Sequence, residues 1–404
     1  MLRIFNTLKK KLEIFRPVDK KTVTVFTCGP SVYQRSHIGN FRTFLFEDIV
    51  VRYLEYSGFP VRRGMNFTDI EDKALQEANR KKVSVRDLTG KNIRKFIEEM
   101  KLLKMRIPDY LPRASETVEE AVEIISELLR RKIAYRHGSN VYFDPLKYSR
   151  FGELYGLDRT RWPREKRRFH RDTYTGMRWN LGDFILWHGY EEGDIYWDTR
   201  IGRGRPSWNI QDPSMILKHY SGTLSIYCGG IDNLFRHHDY TRAILESVRP
   251  YPMARFWLHC HHLVVGGKKM SKSKGNIYYT EDLLQDGYTI EEIRFFLICS
   301  HYRKSLNYTQ EKMRSAAEKL RDFKEKTDEM ARLGNRRRGV DREVREKVKE
   351  IFAREMDDDL NVESAFEKLR DFLDGLKQGD LTPQKASGLV AGLKEVDTVL
   401  GVLF

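Results

Sequence analysis

Residues 23–40, VTVFTCGPSVYQRSHIGN, join a short β-type run to a Gly-Pro turn, an aromatic residue and a His-Ile-Gly-Asn string. The apolar run at 22–28 predicts a buried strand, and Phe41–Ser57 carries apolar side chains near the helical period. A second strand is predicted at Val61–Phe67, and Thr68–Asp72 is predicted to cap and start the next helix. This strand–helix–strand order predicts a parallel α/β sheet.

The same patterns predict the rest of the chain. The further elements are a helix at Val118–Arg131, a basic loop at Arg159–Arg171 and strands at Leu224–Ile231 and Phe256–Val265. From Thr289 to Leu403 the pattern is nearly all helical, with breaks at Gly334–Gly339 and Gly379–Pro383. We therefore expect an α-helical bundle behind an α/β core.

Composition limits the class of protein. The 404 residues are 40% hydrophobic and 32% charged, which is typical of a globular protein with two or three domains. No apolar run approaches membrane length, and the N-terminus lacks a signal-peptide core. Four scattered cysteines do not form a disulfide framework, which favours a reducing cytoplasm. The net charge of +15 favours a polyanionic partner such as nucleic acid or nucleotide.

Two strings of residues suggest phosphate chemistry. His37-Ile38-Gly39-Asn40 lies where a predicted strand passes into a helix, where free backbone N–H groups favour phosphate. Far along the chain, GKKMSKSKGN at 267–276 places Lys269 and Lys272 in a loop rich in glycine and serine, where they could hold a pyrophosphate. Each string alone could be a capped loop or a solvated basic loop. Their occurrence together favours a pair of phosphate-binding elements.

Together the two strings resemble the signatures of class I aminoacyl-tRNA synthetases, and in detail those of the cysteinyl type. The resemblance covers nearly the whole chain and includes TCGPSVYQRSHIGNFRTFLFEDIVVRYL, NFTDIEDK, PDYLPRASE, GDFILWH, RFFLICSHYRKSLNY and MDDDLN. It implies a doubly wound, Rossmann-like nucleotide-binding domain with an insertion, followed by an α-helical bundle. The implied segments are 1–110 (first half of the catalytic domain), 111–200 (insertion), 201–265 (second half), 266–288 (lysine loop and stem contact) and 289–404 (bundle).

The resemblance also implies a reaction. An amino acid would attack the α-phosphate of ATP, with Mg²⁺ on the triphosphate, to form an aminoacyl adenylate and pyrophosphate. By match to the two signatures, His37 and Asn40 would contact ATP, and Lys269 and Lys272 would steady the pyrophosphate. The implied nucleotide-binding set is completed by Gly39, His259, Ser271 and Ser273.

The amino-acid pocket departs from the family pattern. The resemblance implies a zinc ion that reads a substrate thiolate through two cysteines, a histidine and a glutamate. Cys28 and His237 match the first and third ligands. Asp212 replaces the second cysteine of the family pattern, and Thr241 replaces the glutamate. Tyr227 replaces a further histidine of the pocket.

Two interpretations of this pocket stay open. In one, Cys28, Asp212 and His237 hold a metal with an open position, which is chemically allowed. In the other, which we favour because the neighbouring pocket residues have changed as well, zinc is lost and the pocket is rebuilt for another substrate. The rebuilt pocket would use hydrogen bonds from Gln211, Asp212, Tyr227, Arg236 and Thr241. The full substrate-binding set is then Cys28, Trp208, Gln211, Asp212, Tyr227, His237 and Thr241.

A cluster at Leu258–His262, LHCHH, invites a metal assignment. On a strand, His259 and His261 would face one way, and Cys260 and His262 the other. The spacing is not that of a metal site, so three of these side chains are read as structural. His259 matches a family position beside the catalytic loop and is expected to touch the nucleotide.

The acceptor of the activated amino acid also stays open. The chain ends after the bundle, without the small anticodon-reading domain that the resemblance leads one to expect, and in this it resembles the mycothiol-pathway ligase. It could charge tRNA, or it could pass an aminoacyl group to a small molecule or carrier. In the first case the tRNA would bind through Arg159–Arg171, Lys312–Lys326 and Arg336–Arg338. A third reading is a non-catalytic RNA-binding protein, against which the two intact signatures argue.

Overall fold

The computed structural model describes residues 1–158, 183–270, 275–334, 339–376 and 381–404. In chain order, the strands and helices of these ranges are β1 Arg3–Asn6, β2 Lys11–Ile14, β3 Val23–Thr27, α1 Ile38–Tyr56, β4 Val61–Met65, α2 Asp72–Lys81, α3 Val85–Leu102, α4 Val118–Arg130, β5 Ala134–His137, β6 Asn140–Phe143, β7 Phe184–Gly189, β8 Gly204–Pro206, α5 Trp208–His219, β9 Leu224–Gly230, α6 Tyr240–Val248, β10 Ala254–Cys260, β11 Leu263–Val265, β12 Lys268–Lys269, α7 Thr280–Gln285, α8 Ile290–Ile298, β13 Leu306–Tyr308, α9 Gln310–Gly334, α10 Arg342–Met356, α11 Val362–Asp374 and α12 Pro383–Leu400.

The core of the fold is a four-stranded parallel sheet with the order β10-β9-β3-β4. Its strands are short and most of their residues are buried, which is typical of parallel strands covered on both faces. Side chains alternate between two apolar clusters: Val25 of β3 packs with α1 and the bundle, whereas its neighbour Phe26 packs with α4–α6. The predicted parallel α/β sheet is confirmed. Strands β3 and β9 meet where the two halves of the sheet join, which is the usual place for a ligand in such folds.

One predicted strand is divided in two. The run predicted at Phe256–Val265 forms β10, which ends at Cys260, and β11 at Leu263–Val265, because the N–H of His261 donates to the carbonyl of Tyr302 and draws the backbone away from the sheet. The nearly all-helical pattern predicted after Thr289 is confirmed, with one short strand within it. Strand β13 pairs in parallel with β11, so the segment that follows α8 extends the small sheet β12-β11-β13 beside the lysine loop.

The predicted cap of the helix after β4 was wrong. Helix α2 begins at Asp72, and Glu71 occupies its N-cap without a side-chain capping bond. Thr68 lies further back, in extended backbone that pairs with the loop after β3: the N–H of Val32 donates to its carbonyl at 3.1 Å, and its own N–H donates to Pro30. This pairing holds the ends of β3 and β4 side by side.

The insertion contains an antiparallel sheet with the order β5-β6-β7-β8. Because β8 pairs with β7, this sheet continues to Pro206, past the boundary predicted at residue 200. The basic loop predicted at Arg159–Arg171 lies outside the described residues, as do Arg336–Arg338.

The helical bundle, α8–α12, is fixed to the catalytic core by a buried ion pair. Nη2 of Arg294 on α8 lies 2.8 Å from a carboxylate oxygen of Asp48 on α1, and both side chains are fully buried. The same guanidinium donates to the carbonyls of Leu400 and Leu103. None of the helices in the described ranges is long and apolar enough to cross a membrane.

Candidate active site

A cleft of about 300 Å³ opens at the carboxyl ends of β3, β4, β9 and β10. It is lined by residues from both sequence signatures, His37, Gly39, Asn40 and Lys269, and by Cys28 and Trp208. The structure therefore brings together six of the predicted site residues. Lys272, Ser271 and Ser273 lie outside the described residues.

His37 is held in place by the start of α1. Its Nδ1 accepts the backbone N–H of Asn40 at 3.3 Å, and the Asn40 side chain accepts the backbone N–H of His37 at 3.0 Å. This reciprocal cap leaves Nε2 as the protonated ring nitrogen. Burial lowers the pKa of His37 from 6.5 to about 4. At neutral pH the ring is therefore a neutral hydrogen-bond donor at a helix N-terminus, suited to a phosphate oxygen.

Lys269 approaches the cleft from β12. Its ammonium lies 3.8 Å from a carboxylate oxygen of Asp232, and the other oxygen of Asp232 lies 4.0 Å from Nδ1 of His262. All three residues line the cleft. Asp232 was missed from the sequence, although it follows β9 directly, at the sheet edge where functional residues gather.

Asp212 lies behind the cleft and not on its wall. Its carboxylate accepts hydrogen bonds from the amide of Asn66 at 2.8 Å and the hydroxyl of Tyr227 at 2.6 Å, and it lies 3.1 Å from Nε2 of His237. The side chain is fully buried. Both oxygens are committed to these partners, so Asp212 orients a neighbouring imidazole. Asp212 is not part of the group of metal-type donors that converge, so its role as a metal ligand stays a prediction without support from this geometry.

The donor atoms that converge are those of Cys28, His237 and His238, which all lie within 4.8 Å of one another. Nε2 of His237 faces Asp212, and Nδ1 of His238 is 2.8 Å from Nε2 of His259. Each ring keeps one buried nitrogen with no hydrogen-bond partner among the described residues, Nδ1 of His237 and Nε2 of His238. A sulfur donor with two imidazoles, each oriented through its other nitrogen, fits a zinc site with one open position. Sequence reasoning missed His238.

The other predicted substrate residues form a wall behind the cleft. Gln211 donates from its amide to the carbonyl of Ile70 at 2.6 Å, and Thr241 is fully buried. Trp208 reaches the cleft and stacks on His237, with ring centroids 4.3 Å apart. Most of the set predicted to bind substrate directly therefore supports the residues that line the cleft.

His259 also lies behind the cleft. Its Nε2 contacts His238, and its Nδ1 is 2.9 Å from the hydroxyl of Thr7. Burial lowers its pKa from 6.5 to about 3, so it is neutral. Both ring nitrogens are occupied by protein, which does not match the predicted contact with the nucleotide.

Glu71 lines the cleft and was also missed. Its side chain is only 3% exposed, and its Oε1 has no hydrogen-bond partner among the described residues. Burial raises its pKa from 4.5 to about 7, although Lys73 acts in the opposite direction. A buried carboxyl in a cleft is a functional-site candidate on physical grounds.

A larger groove of about 1080 Å³ lies among α10, α11 and α12. It contains none of the signature residues, and salt-bridged surface lysines and glutamates line much of it. Because volume alone does not make a site, the smaller cleft, with its convergent polar groups, is the candidate active site.

Comparison with known proteins agrees with this geometry. The family model described as "tRNA synthetases class I (C) catalytic domain" matches residues 14–318. The cysteine–tRNA ligase of Chlamydia pneumoniae is 36% identical over 413 residues, covering 100% of this chain and 86% of the relative. The chain belongs to the cysteine–tRNA ligase family. The corresponding enzyme of Chlamydia muridarum is 35% identical over 421 residues, covering 100% of this chain and 88% of its own.

Solved structures with low sequence identity share the fold. The methionyl-tRNA synthetase of Mycobacterium tuberculosis in complex with methionyl-adenylate aligns with a TM-score of 0.68 at 13% identity, covering 94% of this chain and 92% of that one. The ternary complex of agnB2 LeuRS from Agrobacterium radiobacter K84 with tRNA and LeuAMS aligns with a TM-score of 0.70 at 11% identity. The alignment covers 96% of this chain and 85% of that one. This member of the cysteine–tRNA ligase family therefore has a class I synthetase fold and is a ligase of the aminoacyl-tRNA synthetase type.

Proposed function

We propose that this protein activates an amino acid with ATP, forming an aminoacyl adenylate and pyrophosphate, and transfers the aminoacyl group to tRNA. The observation that supports this most is the meeting of His37, Asn40 and Lys269 in one cleft that also contains Cys28. The arrangement places phosphate-binding groups beside a candidate pocket for the amino-acid side chain.

In the activation step, a carboxylate oxygen of the amino acid attacks the α-phosphorus of ATP. The bond from that phosphorus to the bridging oxygen breaks, and pyrophosphate leaves with the electron pair. The protein contributes position and charge and forms no covalent bond with the substrate. His37 donates from Nε2 to a phosphate oxygen, and Lys269 neutralises the departing pyrophosphate. Mg²⁺ bound with ATP would neutralise part of the triphosphate charge.

We further propose that Cys28, His237 and His238 hold a zinc ion, with Asp212 and His259 orienting the two imidazoles. Zinc held there would supply affinity for a thiolate, and so would distinguish cysteine from serine, which differ by one atom. The alternative of a rebuilt, metal-free pocket has less support. Gln211, Asp212 and Tyr227 are engaged with protein groups, and two buried imidazole nitrogens would be left unpaired.

In the transfer step, a terminal hydroxyl of tRNA attacks the carbonyl carbon of the adenylate, and AMP leaves. The relatives named as cysteine–tRNA ligases over the whole chain favour this acceptor over a small molecule or carrier, and so does the net charge of +15. All four cysteines are free, which agrees with a reaction in the reducing cytoplasm.

Activation is tested by ATP–pyrophosphate exchange with each of the twenty amino acids. We expect exchange with cysteine, and a loss of about 10²–10³-fold in rate for Lys269→Ala. The matched control is Lys268→Ala, an exposed neighbour on β12 that does not line the cleft. Exchange with no amino acid, or equal loss in both variants, would reject the proposal.

The metal site is tested by elemental analysis of the purified protein and by cobalt substitution. We expect one zinc per chain in the wild type, lost in Cys28→Ala and in His238→Ala. The cobalt form of the wild type should show a thiolate-to-metal absorption band that Cys28→Ala lacks. If the wild-type protein contains no zinc and takes up no cobalt, the zinc site is rejected and the interpretation of a metal-free pocket is favoured.

A further inference from the structure

Three consecutive lysines lie where the chain turns from β1 into β2, and we name them the lysine turn: Lys9 and Lys10 precede β2, and Lys11 begins it. All three side chains are exposed. Lys11 has a weak partner, Glu13, at 3.9 Å, and no carboxylate of the described residues lies within ion-pair distance of Lys9 or Lys10. The turn therefore concentrates positive charge that the described part of the protein leaves largely uncompensated.

The predicted basic face on α9 is different. Lys319 pairs with Glu367 at 2.5 Å, and Lys326 pairs with Asp322 and Asp374. These lysines are partly used in holding helices together, so their charge is less available to a partner.

The lysine turn is held firmly in place. Asn6, which is only 1% exposed, donates from its side chain to Glu13 at 2.8 Å and to the carbonyl of Arg255 at 3.0 Å. Its carbonyl accepts the backbone N–H groups of Lys9 and Lys10 at 3.0 and 2.7 Å. A rigid backbone fixes where the three ammonium groups originate, which lowers the entropy cost of contacts with a partner.

The turn follows Thr7, which lies beside the carboxyl-terminal half of β10. The N–H of Thr7 donates to the carbonyl of Trp257 at 2.9 Å, and its hydroxyl is 2.9 Å from His259, which contacts His238 of the proposed zinc site. On its other side, the ammonium of Lys10 lies so close to Gly156 that a Cβ there would collide with it. In the sequence, Gly156 shortly precedes the basic run RTRWPREKRRFHR at 159–171.

We propose that the lysine turn contacts backbone phosphates of the tRNA acceptor end as it enters the cleft. This rests on the proposed function, because a transfer step requires the end of the tRNA to reach the adenylate. Phosphates near that end must then pass the rim of the cleft. Lysines on a fixed turn can neutralise them and set the position of the strand without reading its sequence.

The test uses a variant with Lys9→Gln, Lys10→Gln and Lys11→Gln in the full chain. Its matched control carries Arg16→Gln, Lys20→Gln and Lys21→Gln, which removes three exposed charges before the amino end of β3. The affinity of total tRNA is measured across a series of salt concentrations. ATP–pyrophosphate exchange, which does not need tRNA, is measured on the same preparations.

We expect the lysine-turn variant to bind tRNA about tenfold more weakly, with the slope of log affinity against log salt reduced by about 2 to 3. The control should keep the wild-type slope, and both variants should keep wild-type exchange. Unchanged binding in the lysine-turn variant, or equal loss in both, overturns the proposal. If the wild-type protein exchanges pyrophosphate but binds no tRNA, both the proposed surface and tRNA as the acceptor are rejected, and the proposed activation step stands. Absence of exchange in the wild type is a failure of the proposed function alone.

Discussion

Nε2 of His237 lies 3.1 Å from a carboxylate oxygen of Asp212, behind the wall of the cleft. The acid stands where the sequence suggested a metal ligand, yet it faces the far side of an imidazole whose other nitrogen has no hydrogen-bond partner in the described part of the chain. Its hydrogen bonds to Asn66 and Tyr227 complete a buried polar network around one carboxylate. Such a network fixes the orientation of His237. It also gives Tyr227 a role as a hydrogen-bond donor to Asp212, which requires no direct contact with substrate.

Asp212→Asn should weaken metal binding without removing it. Because the acid orients a ligand and does not bind the metal itself, we expect a fall of about 10–100-fold in zinc affinity. Competition with a chelator measures this. Asp69→Asn, at another buried carboxylate whose side chain accepts from Ser115 and not from the imidazoles, should keep wild-type affinity. A complete loss of metal in Asp212→Asn, with neither zinc nor cobalt bound, would make Asp212 a ligand after all.

His37→Asn should lower the turnover of ATP–pyrophosphate exchange by about 10²–10³-fold, because it removes one phosphate donor. The control is His261→Asn, a histidine outside the cleft. Since the pKa of His37 is about 4, its protonation does not change between pH 6 and 8. The ratio of wild-type to variant rates should therefore be flat over that range. A ratio that changes tenfold between pH 6 and 8 would contradict a neutral donor.

Glu71→Gln should stabilise the protein more at high pH than at low pH. The pKa of Glu71 is raised from 4.5 to about 7 in the folded state, so folding is favoured by its protonation below about pH 4.5. That stabilisation is lost as the pH rises through 7, because the folded protein then buries a charged carboxylate. The amide of the variant carries no charge, so the variant does not lose stability in this way. The free energy of unfolding of the variant minus that of the wild type should therefore increase by about 2 to 3 kcal/mol between pH 5 and pH 8.5.

Urea unfolding at the two pH values measures this effect. Glu98→Gln, at an exposed position on α3, controls for the loss of one negative charge. A shift of the same size in both variants would show that the burial of Glu71 is not the cause.

Arg294→Met should destabilise the protein by about 2–4 kcal/mol, because the buried carboxylate of Asp48 then keeps only Arg52, at 2.8 Å, as an ion-pair partner among the described residues, and the carbonyls of Leu103 and Leu400 lose their donor. The matched control is Arg321→Met, which breaks a more exposed pair with Glu292 and should cost at most about 1 kcal/mol. Urea unfolding again provides the measurement. Equal, small effects in the two variants would mean that the bundle is held to α1 mainly by apolar packing.

The local elements of the core could be predicted because their cause is local. The apolar residues of 22–28 and the periodic side chains of Phe41–Ser57 specify a strand and a helix wherever they occur. His37 and Asn40 cap a helix within four residues of sequence, so that part of the phosphate site is also visible in the chain. Strand β13 was missed because three residues carry too little pattern, and its pairing with β11 depends on how the bundle packs.

The sequence by itself determined the catalytic class, the parallel sheet and two of the three converging donors, Cys28 and His237, because these depend on short patterns and matched strings. Only the tertiary structure decided that His238 completes the set and that Asp212 supports it. Neighbours on an ordinary helix do not face each other, but residues 234–239 form a π-helical turn, a geometry that is frequent at functional sites. Which nitrogen of each ring is left free depends on hydrogen bonds from α5 and β10, and these come from packing between segments that are distant in the chain.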